Sequence, residues 1–127
     1  MRSVTISPPA TRRPLISADR VAGTDVFDSA GRPIGEVRDV MIDKLSGQVA
    51  YAILSLRGFR GSGDRYYPVP WRLLNYDLTR GGYVARIDKD RLGDAPSFSA
   101  TSRLELETPE NIRWIYDYYG ATPYWLM

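Results

Sequence analysis

The stretch VAYAILSL, Val49 to Leu56, constrains the fold more than any other part of the chain. Side chains of a β-strand alternate between two faces, and here both faces are apolar. Val49, Tyr51 and Ile53 lie on one, and Ala50, Ala52, Leu54 and Leu56 on the other. A half-buried strand alternates apolar with polar residues, so this one needs cover on both sides. Either the C-terminal segment or a second copy of the chain has to supply it.

The neighbouring segments also read as strands. TDVFDSAGRPIGEVRDVMID holds two apolar stretches about DSAGRP, where Ala30-Gly31 and Arg32-Pro33 supply turn chemistry, and this predicts a hairpin. On its second arm Ile34 and Val37 fall on opposite parities while Val40 and Ile42 alternate regularly. A β-bulge near Arg38-Asp39 reconciles the two, as happens where sheets bend. RYYPVPW is a further short strand, placed at an edge or bulge because Pro68 and Pro70 cannot donate to a ladder. GGYVARID, Gly81 to Asp88, sets Tyr83, Ala85 and Ile87 against Val84, Arg86 and Asp88, the pattern of a strand buried on one face.

The two ends differ from this body. Residues 1–14 lack periodicity and contain Pro8, Pro9 and Pro14, so they read as a flexible N-terminal arm. Near the C-terminus Thr108 is an N-cap candidate, Pro109 suits the first helical position, Glu110 favours the positive end of the dipole, and Gly120 with Pro123 stops the helix. Ile112, Ile115, Tyr116 and Tyr119 then share one face. Trp114 and Tyr118 lie off that stripe, and Tyr124 and Trp125 follow it. This is more aromatic surface than one small helix needs to dock, so either all of it packs on the sheet or part of it faces a partner.

Composition removes several chemistries. A chain of 127 residues with 43% hydrophobic content suits one domain with one core. It has no cysteine, hence no disulfide, thiolate nucleophile or thiolate metal site, and no histidine, hence no imidazole base, ligand or serine-histidine pair. Ser29, Ser46 and Ser62 therefore lack their usual activator, and no spacing recommends a pairing with Lys44 or Lys89. Asp39 and Asp43, with Glu36, are formal cation ligands, but four residues of strand separate the two carboxylates by about 13 Å. They read instead as partners of Arg38 or of turn amides, and Asp19, Asp25 and Asp28 read alike. No metal and no cofactor is expected. No apolar window reaches eighteen residues, so membrane insertion is not expected and the default location is cytoplasmic.

The stretch RGFRGSGDRYYPVPW poses the sharpest functional question. Gly58, Gly61 and Gly63 could bring backbone amides to an anion, with Arg57, Arg60 and Arg65 adding charge. The stretch has no G-K-[ST] ending, however, and leads into a strand with prolines where a phosphate loop leads into a helix. It reads as a connection whose glycines meet positive dihedrals, with an anion site at Arg57, Gly58, Arg60, Gly61 and Gly63 as the alternative. Nucleic acid is disfavoured as a partner. Once Arg2, Arg12 and Arg13 are set aside, 14 basic residues face 15 acidic ones, a body near neutrality with no basic stripe. Arg65-Tyr66-Tyr67 and Arg113-Trp114 are the places where stacking on a single strand would occur.

The wording of residues 15–98 closely resembles the PRC-barrel family, known from the cytoplasmic barrel of the photosynthetic reaction-centre H subunit and from the C-terminal domain of a ribosome maturation factor. The likeness is carried by G-x-x-x-D-V-x-x-D from Gly35 to Asp43 and by YYPVPW, in order, while YYG and PYW near the end resemble the extension of stand-alone bacterial members. It implies a mainly β fold, a small PRC-type barrel of five to six antiparallel strands at residues 15–98, with an extension at 99–127 that carries a short aromatic-rich helix. It also implies a non-catalytic binding or assembly module. The expected partners are the chain itself, as a homodimer, and a further protein. The expected contact residues are Tyr51, Trp71, Trp114, Tyr118, Tyr124 and Trp125. An RNA- or ribosome-associated factor and a binder of small anions through the glycine-rich loop are the competing readings.

Overall fold

The two-sided strand finds its second cover inside its own chain. A computed structural model describes residues 15–57, 65–99 and 108–126, and among them Val49–Leu56 forms β3, bonded along one edge to β2 (Pro33–Ile42) and along the other to β4 (Arg65–Pro70). The remaining strands are β1 (Asp25–Phe27), β5 (Leu74–Asp77), β6 (Gly82–Ala85) and β7 (Phe98–Ser99). They make one sheet in the order β5-β6-β1-β2-β3-β4-β7. Three helices accompany it: α1 (Ala18–Val21), α2 (Lys89–Gly93) and α3 (Pro109–Tyr119).

The fold is mainly β with a short C-terminal helix, and it differs from the expected five to six antiparallel strands in three respects. The described strands number seven, because Leu74–Asp77 pairs with β6 and the two-residue β7 borders β4. One pair is parallel: β1 lies beside β6 with Val26 opposite Tyr83. Among the described residues the sheet is not closed, since its outer strands β5 and β7 do not bond to one another. Short pieces such as LNYD and FS are below the length at which alternation is readable, which is why the sequence pattern passes over them.

The bulge lies where the broken parity puts it. Val37 pairs with Leu54 and Asp39 with Ile53, leaving Arg38 as the extra residue in β2. Gly35, opposite Leu56, lets β2 approach β3 closely; a Cβ there would stand 2.0 Å from the Ser55 carbonyl oxygen. On β4, only Arg65 and Tyr66 have neighbours in β7, and the strand then runs on through Pro68 and Pro70 along an edge, as expected from proline's missing N–H.

Each of three hairpin turns opens on an aspartate whose Oδ1 collects two later amides. Asp28 accepts from Ala30 and Arg32, Asp43 from Leu45 and Ser46, and Asp77 from Thr79 and Arg80. Asp28 is buried and adds a 2.9 Å ion pair from its Oδ2 to Arg32 Nε. The amides of these turns hold all three carboxyls below the ordinary carboxylate range; at Asp43 a tyrosine contributes more still.

Helix α3 begins and ends as its sequence predicts. Thr108 Oγ1 accepts from the Asn111 amide at 3.3 Å, and Gly120 adopts a left-handed φ of 62° to close the last turn. Ile115, Tyr116 and Tyr119 are buried, and Ile115 and Tyr119 join the same core as Ala50 to Leu56. The C-terminal segment is thus the cover that β3 requires, and that strand leaves no face for a second copy. The expected flexible arm at residues 1–14 lies outside the described residues.

Candidate interaction surface

Three phenolic hydroxyls tie the C-terminal segment to the rest of the chain. Tyr116 donates to the backbone carbonyl of Ala50 in β3. Tyr118 donates to the Arg91 carbonyl in α2 at 2.5 Å, while the Arg91 guanidinium donates to the Tyr118 carbonyl and lies 4.9 Å from the Tyr118 ring centroid. Tyr124, in the C-terminal 3₁₀ turn Tyr124–Leu126, donates to Oδ2 of Asp43 at 2.6 Å. Burial pushes the Tyr116 hydroxyl up to about 12, and the carboxylate it meets pushes Tyr124 up to about 12 as well. Tyr119 is different: its hydroxyl is buried with no hydrogen-bond partner among the described residues, and burial pushes its pKa well up.

The Tyr124–Asp43 bond brings two apolar edges together. Asp43 opens the β2–β3 turn, so its Oδ1 is committed to turn amides and its Oδ2 is left to face outward. That geometry sets Tyr124, and beside it Trp125, against Asp43, Ser46 and Gln48 of the turn, the segment that carries Ile42 and Leu45, while Leu126 follows Trp125 in the chain. The four apolar residues are exposed: Leu45 is fully exposed at the tip of the turn, Leu126 is 70% and Trp125 46% exposed, and Ile42 half. The Trp125 ring is steadied by edge contacts to Tyr116 at 5.5 Å and Tyr124 at 5.3 Å.

Two hollows adjoin this patch. The first, about 240 Å³, is lined by Gln48, Val49, Trp71, Arg72, Tyr116, Thr122 and Tyr124. The second, about 330 Å³, is lined by Asp43, Ser46, Gln48, Tyr124 and Trp125. Asp43 sits among three neutral donors, of which the Tyr124 hydroxyl contributes most to lowering its pKa. Beside it Lys44 is exposed and takes part in no ion pair among the described residues.

The sequence-predicted contact residues are distributed unevenly about this surface. Trp71, Tyr124 and Trp125 meet at the hollows. Trp114 is half-exposed on α3, and Tyr118 is engaged with α2. Tyr51 is no surface residue: at 2% exposure it belongs to the core, because the face it shares with Val49 and Ile53 is covered within the chain. Ile42, Leu45 and Leu126 are exposed although the sequence pattern did not single them out; the apolar leucine inside the turn DKLSGQ is a visible anomaly.

Of the other candidates, Arg57, Asp39 and Asp43 are among the described residues. Arg57 uses its amide to bond the Ile34 carbonyl and places its guanidinium 3.7 Å from Asp25, and it is exposed. Gly58, Arg60, Gly61 and Gly63 lie outside the described residues. Asp39 and Asp43 bond to backbone amides, and no group of acidic side chains among the described residues is arranged to hold a metal ion. No helix among them is long and apolar enough to cross a membrane.

The described strands make a mainly β sheet with a bulged second strand, a two-sided third strand and a proline-edged fourth. The family model of the PRC-barrel domain matches residues 14–92, well over half of the chain, and the protein belongs to that family. No curated protein matches it. The family is one of non-catalytic domains. Helix α3 and the C-terminal turn fall beyond the matched residues, so the surface is built from family residues on one side and from the extension on the other.

Proposed function

We propose that the protein is a non-catalytic interaction module that self-associates and meets a larger protein partner through the end of the sheet formed by the β2–β3 turn and the C-terminal turn. The observation that carries this reading is the Tyr124–Asp43 bond, which sets the C-terminal turn, with Trp125 and Leu126 exposed, against the β2–β3 turn, with Leu45 exposed, beside two hollows. Contiguous exposed apolar surface of this kind marks contact sites, whereas isolated exposed apolar residues do not. A chain with no histidine or cysteine gains nothing catalytic from these neighbours.

The test is affinity capture of the tagged chain from lysate of its host, with and without nuclease treatment, with wild type and Trp125→Ala as parallel baits. A protein retained by wild type and lost with Trp125→Ala supports the reading. Retention that vanishes with nuclease, or that is indifferent to Trp125, argues against it and favours a nucleic-acid-associated role.

A further inference from the structure

Resting on the interaction-module reading, the structure points to how a second copy docks: we propose an isologous dimer in which Leu45 of each chain enters the aromatic-walled hollow of the other. A turn tip with a fully exposed leucine is a convex knob, and its own chain leaves it uncovered. Three and four residues along the same turn, Gln48 and Val49 line a socket of about 240 Å³ walled by Trp71, Tyr116 and Tyr124. A knob and a socket side by side on one surface are self-complementary under a two-fold axis passing between them, because each knob then meets the other copy's socket.

Charge follows the same symmetry. Lys44, next to the knob, has no ion-pair partner among the described residues, and the Asp43 carboxylate at the neighbouring hollow is held by neutral donors only. Docking Leu45 into the opposite socket carries Lys44 toward the other copy's Asp43, reciprocally.

The chain lacks cysteine, so introduced thiols report uniquely. The experiment is sedimentation velocity over a concentration series for wild type, Leu45→Glu and a surface control, Leu78→Glu. It is joined by disulfide formation in an equimolar mixture of Leu45→Cys and Thr122→Cys chains. Thr122 lines the socket and is exposed, and Leu45 touches nothing that the fold needs, so the variants keep their structure. The expected result is a wild-type dimer weakened at least tenfold by Leu45→Glu, unchanged by Leu78→Glu, with the mixed Leu45–Thr122 disulfide as the main cross-linked product.

A dimer indifferent to Leu45→Glu that yields no mixed disulfide overturns the knob-and-socket arrangement and leaves self-association standing. A wild-type chain that stays monomeric at every concentration overturns both. Growth past the dimer with rising concentration means that knob and socket join head to tail, and the two-fold arrangement fails. A monomer that sediments with phosphatidylglycerol vesicles assigns Leu45 to a lipid surface and equally overturns it.

Discussion

The hydroxyl of Tyr124 lies 2.6 Å from Oδ2 of Asp43, across 81 residues of sequence. It joins the 3₁₀ turn Tyr124–Leu126 to the turn between β2 and β3, and Trp125 lines a hollow with Asp43, Ser46 and Gln48 of that turn. Tyr124→Phe keeps the ring and its contact with Trp125 but removes the donor. The expected outcome is a Tm lowered by no more than a few degrees, an unchanged far-ultraviolet spectrum, and weakened near-ultraviolet ellipticity from Trp125 as its environment loosens. Unchanged near-ultraviolet ellipticity would show that the aromatic packing alone orients the turn.

Acid should undo the three aspartate turns together. Asp28, Asp43 and Asp77 have folded pKa values below their ordinary value of 3.8. A depressed carboxyl contributes stability that is complete above the ordinary value and is lost as pH falls through the lower folded one. Thermal stability is thus expected to be level from neutrality down to about pH 5 and to drop below about pH 4. Asp28→Asn, at the buried turn, should lower stability at neutral pH and flatten the acid limb. A limb of the same steepness would remove Asp28 from the explanation.

The alkaline side has the opposite sign. Tyr116 and Tyr124 are raised from 10.0 to about 12. Raised acids of this kind contribute stability below their unfolded pKa and lose it as pH climbs toward the folded one. Tyrosinate absorbance should therefore show a late-titrating fraction above pH 10. Tyr124→Phe should diminish that fraction, and the C-terminal turn should loosen over the same window. Early titration of every tyrosine would contradict the burial of Tyr116.

Tyr119 offers a gain. Its hydroxyl is buried without a partner while its ring fills the seam between α3 and the core, at 7% exposure. Leaving such a group unpaired costs about 1–3 kcal/mol, which Tyr119→Phe should recover, raising the Tm. Tyr119→Ala should instead cost about 3–5 kcal/mol by emptying the seam. A lower Tm for Tyr119→Phe would reveal that the hydroxyl is engaged.

Gly35→Ala is expected to be the most damaging single methyl in the sheet. The added carbon would meet the Ser55 carbonyl at 2.0 Å, backbone that cannot step aside without parting β2 from β3. The expected cost is about 3 kcal/mol, read from urea denaturation. A variant of wild-type stability would show that the bulge at Arg38 lets β2 shift away.

How far the sequence reached depended on the range of the interaction. The bulge was legible because Ile34, Val37, Val40 and Ile42 cannot share one parity, and α3 because Thr108, Pro109 and Gly120 punctuate it locally. The demand of β3 for two covers was legible too, but periodicity cannot say whether the cover comes from the same chain or another, and this misplaced Tyr51 at a surface. Asp43 shows the same limit. Its turn partners are two and three residues away, whereas Tyr124 is reached only through the fold. The pairing of β1 with β6 and the short strands β5 and β7 carry too few residues to leave a pattern.

Pro68 and Pro70 have a consequence for how this protein behaves when crowded. An incoming strand seeking to extend the sheet along β4 would find no amide at either position, and the two-residue β7 beside them offers almost nothing to copy. Runaway strand stacking, the common route from an open sheet to insoluble fibre, is starved of hydrogen bonds at this margin. The molecule can therefore expose a greasy turn at one end while this margin of the sheet, among the described residues, offers an added strand few hydrogen bonds.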